Sequence, residues 1–384
     1  MLPVLLLGAC KSTHFVPDEQ FLLQKNKVHL TSKSTIDEEE LSMYVKQKPN
    51  KAIFLNSWRI YLTSYNFLHR KKDDMPDYQH KKHGLLGRLR LKSIEALGEA
   101  PVILDSTKIP YSILQMQSFL RNKGYYDSKI NAQIKYKGKK KAKVIYTVDL
   151  GKPYTVNNIT LKTPLAHMKK LLNEDSLNLP VKKESLFDIN MLNTERQYIS
   201  NLFQNKGYYD FNEYYVHYKA DTTIGNQKVN LVIEIDNPLI KQEGSDSLYT
   251  AKHNRYRIRN IYVQPDFNAA NPNLPSTDTL TVLGDISRSR RTWKLDTTMI
   301  NYIFRDTLKY KPTPINKAIY FKQNKYYQLS QHQETYQQLN NLGIFNYIKI
   351  DYKKVTTDTF FLGTSPVISE EQICYIGDVL DSFF

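Results

Sequence analysis

Six residues written twice constrain this chain more than any other feature. Asn-Lys-Gly-Tyr-Tyr-Asp occupies 122–127 and again 205–210. A phrase that recurs at domain-scale spacing marks a repeated structural unit, and a repeat decides the fold before any single site does. Upstream of the first copy, Ile113, Met116 and Leu120 fall at helical spacing with Phe119 beside them. Upstream of the second, Ile199 pairs with Phe203 and Tyr198 with Leu202 at i,i+4. Both stretches are predicted to be amphipathic helices. Each ends at a glycine, the residue that takes the left-handed conformation closing a helix.

Beyond each glycine the period changes to two. Ile130, Ala132, Ile134 and Tyr136 alternate with polar residues, and Val144, Tyr146 and Val148 resume after the Lys-rich 137–143. That Lys-rich run is expected to be a solvated hairpin turn. In the second copy the strand-like 212–218 is followed by Val229, Leu231, Ile233 and Ile235. A first strand at 154–161 and a helix at 165–172 precede it, so the second unit has the order β-α-α-β-β.

A third copy is weaker. Its first strand is 255–263, its first helix is expected at 297–304, and 334–352 supplies helix, Gly343 and strand. Asn-Leu-Gly-Ile-Phe replaces Asn-Lys-Gly-Tyr-Tyr there, and residues 266–295 lengthen its middle. The first copy is stretched too. Residues 27–30 open it, and 37–100 is expected to be a long, mostly helical insertion, with Glu38–Glu40 in a helix's first turn, where carboxylates suit the dipole. Within the motif, Gly124, Gly207 and Gly343 close helices. Tyr125, Tyr126, Tyr208 and Tyr209 are expected to pack the turn onto the sheet, and Asp127 and Asp210 to bond nearby backbone.

The chain opens Met-Leu-Pro-Val-Leu-Leu-Leu-Gly-Ala-Cys. Small residues after an apolar run are typical of secretory processing sites. No Lys or Arg precedes the run, and a buried N-terminal strand with a chance cysteine is the alternative. No apolar run approaches the roughly 20 residues that a membrane-crossing helix needs. The two cysteines, Cys10 and Cys374, show no metal-ligand spacing.

A formal net charge of +16 admits nucleic acid, an anionic membrane or an acidic partner. The basic residues are spread along the chain, densest at 69–72 and 137–143, with no RNP-type aromatic motif, zinc-finger spacing or long basic helix. Nucleic-acid binding therefore rests on charge alone and is not expected. Phosphate-loop, H-E-x-x-H, G-x-S-x-G and paired-cysteine motifs are absent, and the one close histidine pair, in 79–83, sits in a Lys-rich loop-like stretch. No enzymatic activity, catalytic residue, metal or cofactor is expected.

A β-α-α-β-β unit with Gly-Tyr-Tyr-Asp before its second strand resembles a POTRA domain of the BamA/TamA (Omp85) family. Leu-Gly-Ala-Cys resembles the bacterial lipoprotein box, in which Cys10 would be lipidated. The whole pattern is most similar to the lipidated, TamA-like (TamL-type) proteins of Bacteroidetes-type bacteria. It includes Val-Pro-Asp-Glu-Gln-Phe-Leu-Leu-Gln-Lys-Asn-Lys-Val at 16–28 and Gly-Glu-Ala-Pro-Val-Ile-Leu-Asp at 98–105. The resemblance covers about 10–355. It implies an α+β fold of tandem POTRA units in an extended arm. The segments are a lipoprotein signal and lipobox at 1–10, a tether at 11–24, unit one at 25–151, unit two at 152–240, a linker at 241–254, unit three at 255–355 and an atypical tail at 356–384.

The resemblance also implies a part in outer-membrane β-barrel assembly or translocation. The partners would be unfolded outer-membrane proteins, an inner-membrane TamB-like protein, or both, with the POTRA units in the periplasm and Cys10 anchored to the outer membrane. Lys11, not an Asp, follows the cysteine, which favours the outer over the inner membrane. The family's C-terminal barrel is not in this sequence, because sixteen strands of about 9–11 residues do not fit after Tyr352. The tail lacks sustained alternation and supplies no clear last strand for unit three. A truncated or frameshifted member, unable to insert barrels alone, is the expectation. A barrel-less POTRA lipoprotein serving as an envelope scaffold or accessory is the alternative. Extended clients would add to the exposed edge of each unit's sheet, at 129–136, 213–218 or 345–352.

Overall fold

The computed structural model describes residues 12–52, 59, 61–63, 65–66, 98–241, 244, 246–266, 278–283, 286–288, 293–295, 298–355 and 368–377. Cys10, the basic run at 69–72, the histidine pair in 79–83 and most of the expected helical insertion lie outside these residues. The chain forms two compact units. The first holds the chain to Thr155 with Glu184–Asn190 and Gly225–Lys228, and the second holds the rest.

The first unit contains β1 (Leu22–Leu30), α1 (Glu38–Ser42), α2 (Lys108–Asn122), β2 (Lys129–Lys137) and β3 (Lys141–Asp149). Glu38, Glu39 and Glu40 fill the first turn of α1 as expected. The strands lie in the order β1-β3-β2, with β1 parallel and β2 antiparallel to β3. Alternation buries Val144, Tyr146 and Val148 of β3, where α2 covers them with Met116, Phe119 and Leu120. Burying each such side chain contributes about 1.5–3 kcal/mol. The Lys-rich run is the expected hairpin turn, with Gly138 at φ +63°.

Within the second unit the same order returns. β4 (Thr155–Lys162), α3 (Ala166–Glu174), α4 (Ile189–Gln204), β5 (Val216–Asp221) and β6 (Lys228–Ile235) make a sheet ordered β4-β6-β5. Met168 and Leu172 of α3 and Ile199 and Phe203 of α4 cover Val216, Ile233 and Ile235. The stretch read as a domain end and linker forms a hairpin, β7 (Leu239–Lys241) with β8 (Leu248–Thr250).

The third repeat departs most from expectation. It comprises β9 (Tyr256–Gln264), β10 (Asp278–Leu283), a small hairpin of β11 (Ile286–Arg288) and β12 (Trp293–Leu295), β13 (Met299–Phe304), α5 (Pro312–Ala318), α6 (Leu329–Asn341), β14 (Tyr347–Val355) and β15 (Ile368–Gly377). Its sheet has five strands, ordered β10-β13-β9-β15-β14. The expected first helix at 297–304 is strand β13. Ile300 and Tyr302 are buried while Met299 is exposed, so the period is two, and helix formation waits for Pro312 at the first helical position.

The tail, from which no last strand was expected, supplies β15, parallel to β9 and antiparallel to β14. Ser369-Glu370-Glu371-Gln372 holds no apolar residue, so the alternation that marks a strand is missing from its sequence, while the extra residue at the register shift, Arg259, belongs to β9. The fold is α+β, built from three β-α-α-β-β repeats with four extra strands inserted in the third, and among the described residues no sheet closes into a barrel. No helix among the described residues is long and apolar enough to cross a membrane.

Candidate functional site

The repeated glycines end their helices as the sequence requires, with φ of +88° at Gly124, +97° at Gly207 and +66° at Gly343. A second constraint falls on the first two only. A Cβ on Gly124 would lie 2.9 Å from the Phe187 carbonyl oxygen and 3.3 Å from that of Tyr154. One on Gly207 would lie 3.0 Å from the Tyr326 ring, whereas Gly343 has nothing within 4 Å.

Both tight turns are joints made by one bonding scheme. The Tyr154 N–H donates to the Gly124 carbonyl at 2.9 Å, and the Tyr256 N–H donates to the Gly207 carbonyl at 2.8 Å. The Phe187 N–H donates to the Tyr154 carbonyl at 2.9 Å, and the Tyr327 N–H to the Tyr256 carbonyl at 3.0 Å. Each turn therefore clasps the opening strand of the following repeat and the segment leading into that repeat's second helix.

The tyrosines divide this work. Tyr125 and Tyr208 are buried in their own repeat's core, as expected, and the Tyr208 hydroxyl lies 2.9 Å from His167 Nδ1. Burial raises the Tyr208 pKa and lowers that of His167. Tyr126 and Tyr209 do not pack on their own sheet. Tyr126 meets Tyr154 edge-on at 5.2 Å and stacks with Phe187 at 6.2 Å. Tyr209 meets Tyr327 at 5.0 Å, Tyr352 at 5.1 Å and Tyr256 at 6.0 Å. Aromatic pairs at such separations are worth about 0.5–1.5 kcal/mol beyond area burial.

Asp210 also differs from expectation. Its carboxylate accepts the Tyr256 hydroxyl and the Lys354 ammonium, the latter at 2.6 Å, instead of bonding backbone. Asp127 backs onto Gly151, whose Cβ would lie 3.5 Å from it. Around the second joint, the Arg255 guanidinium lies 3.6 Å from the Tyr326 ring centre and donates to the Lys206 carbonyl at 2.7 Å. The hydrogen bond from Arg257 and the nearby Arg255 charge lower the Tyr326 pKa.

The edges are the other candidate feature. β2, β5 and β14 are each outermost in their sheet. β2 covers the expected 129–136, whereas β5 holds only 216–218 of 213–218, because Glu213–Tyr215 form a 3-10 turn, and β14 holds 347–352 of 345–352. Such strands leave alternate N–H and C=O groups unpaired. Beside β5, Glu234 sits between Lys162 at 2.5 Å and Lys219, and those bonds hold its pKa at about 2.

Sequence reasoning missed one buried polar position. Glu195 of α4 is fully buried and takes the Tyr218 hydroxyl at 3.1 Å, and desolvation pushes its pKa up to about 7. Counted from the segment entering the second helix, Ser112 and Thr335 hold the same place. Ser112 takes the Lys46 N–H and Thr335 the Tyr320 N–H, both at 3.0 Å. Counting from the glycines hides this, because α6 is shorter than α4. Among the described residues, no group of three or more His, Cys, Asp or Glu side chains could hold a metal ion.

No family model matches the chain, and no curated protein matches it. Among solved structures it is similar to POTRA3–5 of Haemophilus influenzae BamA, at 10% identity and a TM-score of 0.36, over 95% of this chain and 100% of that one. It is similar to POTRA1–3 of Omp85 from Anabaena, at 8% identity and a TM-score of 0.28, over 94% of this chain and 98% of that one. The N-terminal domain of Omp85 from Thermosynechococcus elongatus gives 9% identity and a TM-score of 0.26, with the same coverage of 94% and 98%. The β-α-α-β-β order and the first-third-second strand order belong to the chain itself.

Proposed function

We propose that this chain is the periplasmic docking arm of a BamA/TamA-type (Omp85) outer-membrane assembly or translocation factor. In this reading it is a TamL-type lipoprotein anchored to the outer membrane through Cys10. Its units receive unfolded outer-membrane proteins by strand addition, and a TamB-like inner-membrane protein is a further partner. Its work is binding, not catalysis. The observation that carries the reading is the edge position of β2, β5 and β14 in the main sheets of the three repeats. Main-chain hydrogen bonding at such edges is tolerant of sequence, which suits a receptor for many unfolded clients.

The test uses the full chain with a photocrosslinking amino acid at Lys135, Ala220 or Lys353. The probe is a synthetic peptide carrying one membrane strand of an outer-membrane barrel protein. Saturable crosslinking from at least one position, competed by unlabelled peptide, is expected. No saturable signal from any of the three would sink the reading. Palmitate labelling in the source cell tests the anchor: label that persists in Cys10→Ser would remove it.

A further inference from the structure

The three repeats treat the free side of their first strand differently. In the third, β13 lies along β9 in parallel, pairing Ile300 with Ile261, Asn301 with Tyr262 and Tyr302 with Val263. β10 then covers β13. In the first, beyond the Leu22–Ile103 bridge that has counterparts in the other two repeats, the Asn26 side chain donates to the Gln47 carbonyl at 2.6 Å and the Leu30 N–H to Glu38 at 3.0 Å. Both stretched repeats thus use inserted chain on this edge. The second repeat has no insertion. Its β4 is outermost, and among the described residues no strand pairs with its free side beyond the single Thr155–Leu186 bridge at its start.

The bridges Thr155–Leu186 and Arg257–Tyr326 occupy the same place in the two repeats and fix the correspondence. Tyr-Thr-Val-Asn-Asn-Ile-Thr-Leu at 154–161 then lies against Tyr-Arg-Ile-Arg-Asn-Ile-Tyr-Val at 256–263. Ile159 and Leu161 correspond to Ile261 and Val263. Ile261 and Val263 are fully buried, while Ile159 and Leu161 are only half-buried and Thr160 between them is exposed. The second repeat therefore keeps the apolar pair that β13 helps to cover in the third, without a strand over it.

We infer that the free edge of β4, centred on Ile159–Leu161, docks one extended polypeptide segment that runs parallel to β4. The segment carries β-branched or aromatic residues at alternate positions, the chemistry of Ile300-Asn301-Tyr302. Its backbone pairs with β4 while its two apolar side chains cover Ile159 and Leu161. This edge lies across the sheet from β5, so the inference stands apart from client binding at β2, β5 and β14.

The probe is a fluorescent peptide with the sequence of residues 298–305, Thr-Met-Ile-Asn-Tyr-Ile-Phe-Arg. The protein is the full chain, with a photocrosslinker at Thr160 or, separately, at Ala220. Saturable crosslinking from 160 to the middle of the peptide is expected, with none from 220. Against the unaltered chain, peptide N-methylated at alternate residues should bind at least about tenfold more weakly by anisotropy, because it keeps the side chains and loses the strand donors. Absence of saturable binding overturns the inference, as does equal binding of the N-methylated peptide. Crosslinking from 220 alone also overturns it, while supporting the docking-arm reading. Crosslinking from 160 supports the inference whatever barrel peptides do at the other edges.

Discussion

The turn at Gly207 and the turn at Gly343 end similar helices with the same device, yet they lead to different surroundings. Both glycines have positive φ and both donate to a carbonyl of the preceding helical turn. Gly207 then gives its carbonyl to Tyr256, and Tyr209 joins an aromatic group with Tyr256, Tyr327 and Tyr352. Gly343 faces open space, Ile344 is exposed, and Phe345 turns back into its own core beside Tyr310. Glycine therefore stops the helix in both places. The second Tyr of the following Tyr-Tyr-Asp is the separate code for gripping the next repeat, and at Gly343, where Phe345 stands in its place, no such grip is made among the described residues.

The largest expected effect tests that division. Gly124→Ala and Gly207→Ala combine left-handed strain, about 1–2 kcal/mol, with a collision. At 124 the obstacle is backbone, at 207 an aromatic ring. Each should lose about 3 kcal/mol or more of unfolding free energy, with 124 the worse. Gly343→Ala meets only the strain, about 1–2 kcal/mol. Urea unfolding of the three variants gives the ranking, and equal losses at 207 and 343 would dissolve the distinction between stop and grip.

The buried polar position sharpens the comparison from inside the helices. Glu195 in the second repeat stands where Thr335 stands in the third. Its folded pKa of about 7 lies above the ordinary carboxyl value, so between about pH 4.5 and 7 the folded chain holds more protons than the unfolded one. Stability contributed by the neutral form is complete below that window and declines as pH rises through it. Glu195→Gln should therefore match the parent near pH 4 and exceed it by roughly 2–3 kcal/mol at pH 8. Thr335→Ser should show no such pH dependence. A flat difference for Glu195→Gln across pH 4–8 would contradict the raised pKa.

Next comes the ring that reaches across. Tyr209→Ala removes one member of a four-ring group and should cost about 2 kcal/mol, against under about 1 kcal/mol for the exposed Ile344→Ala. Tyr209→Phe keeps the ring contacts and should recover most of the loss. Thermal unfolding of the three variants suffices, and a Tyr209→Ala value no larger than that of Ile344→Ala would remove the ring from the joint.

Local signals made much of this architecture legible. The α2 and α4 stripes, the glycine stops, the alternation in β3 and β6 and the Lys-rich turn each depend on neighbours within a few residues. What escaped depends on distant partners. Met299–Phe304 looked helical because its apolar residues are dense enough to suit either period, and only pairing with β9 selects the strand. β15 is specified by β9 and β14 on its two sides, not by its own pattern. The joint was hidden because the contacts of Tyr126 and Tyr209 lie many residues further along the chain. Two traces were present: Tyr154 and Tyr256 begin matching strands and mark the joint, and an alignment started at Ile103, Leu186 and Tyr326, which enter the second helices, exposes the place shared by Ser112, Glu195 and Thr335.

The smallest effect concerns the last letter of the phrase. Asp210 bonds Tyr256 and Lys354 across the joint, and both ends of its ion pair remain nearly half exposed. Exposed pairs contribute about 0.2–1 kcal/mol and weaken as salt screens them. Asp210→Asn should therefore cost at most about 1 kcal/mol at low ionic strength, and the gap should narrow in 1 M salt. Lys354→Met should mimic it, and the double variant should cost less than the sum of the two, since both remove one contact. If the effects simply add, Asp210 stabilises its own turn rather than the joint. The phrase would then divide further, into a stop at Gly, a grip at the second Tyr and a local turn at Asp.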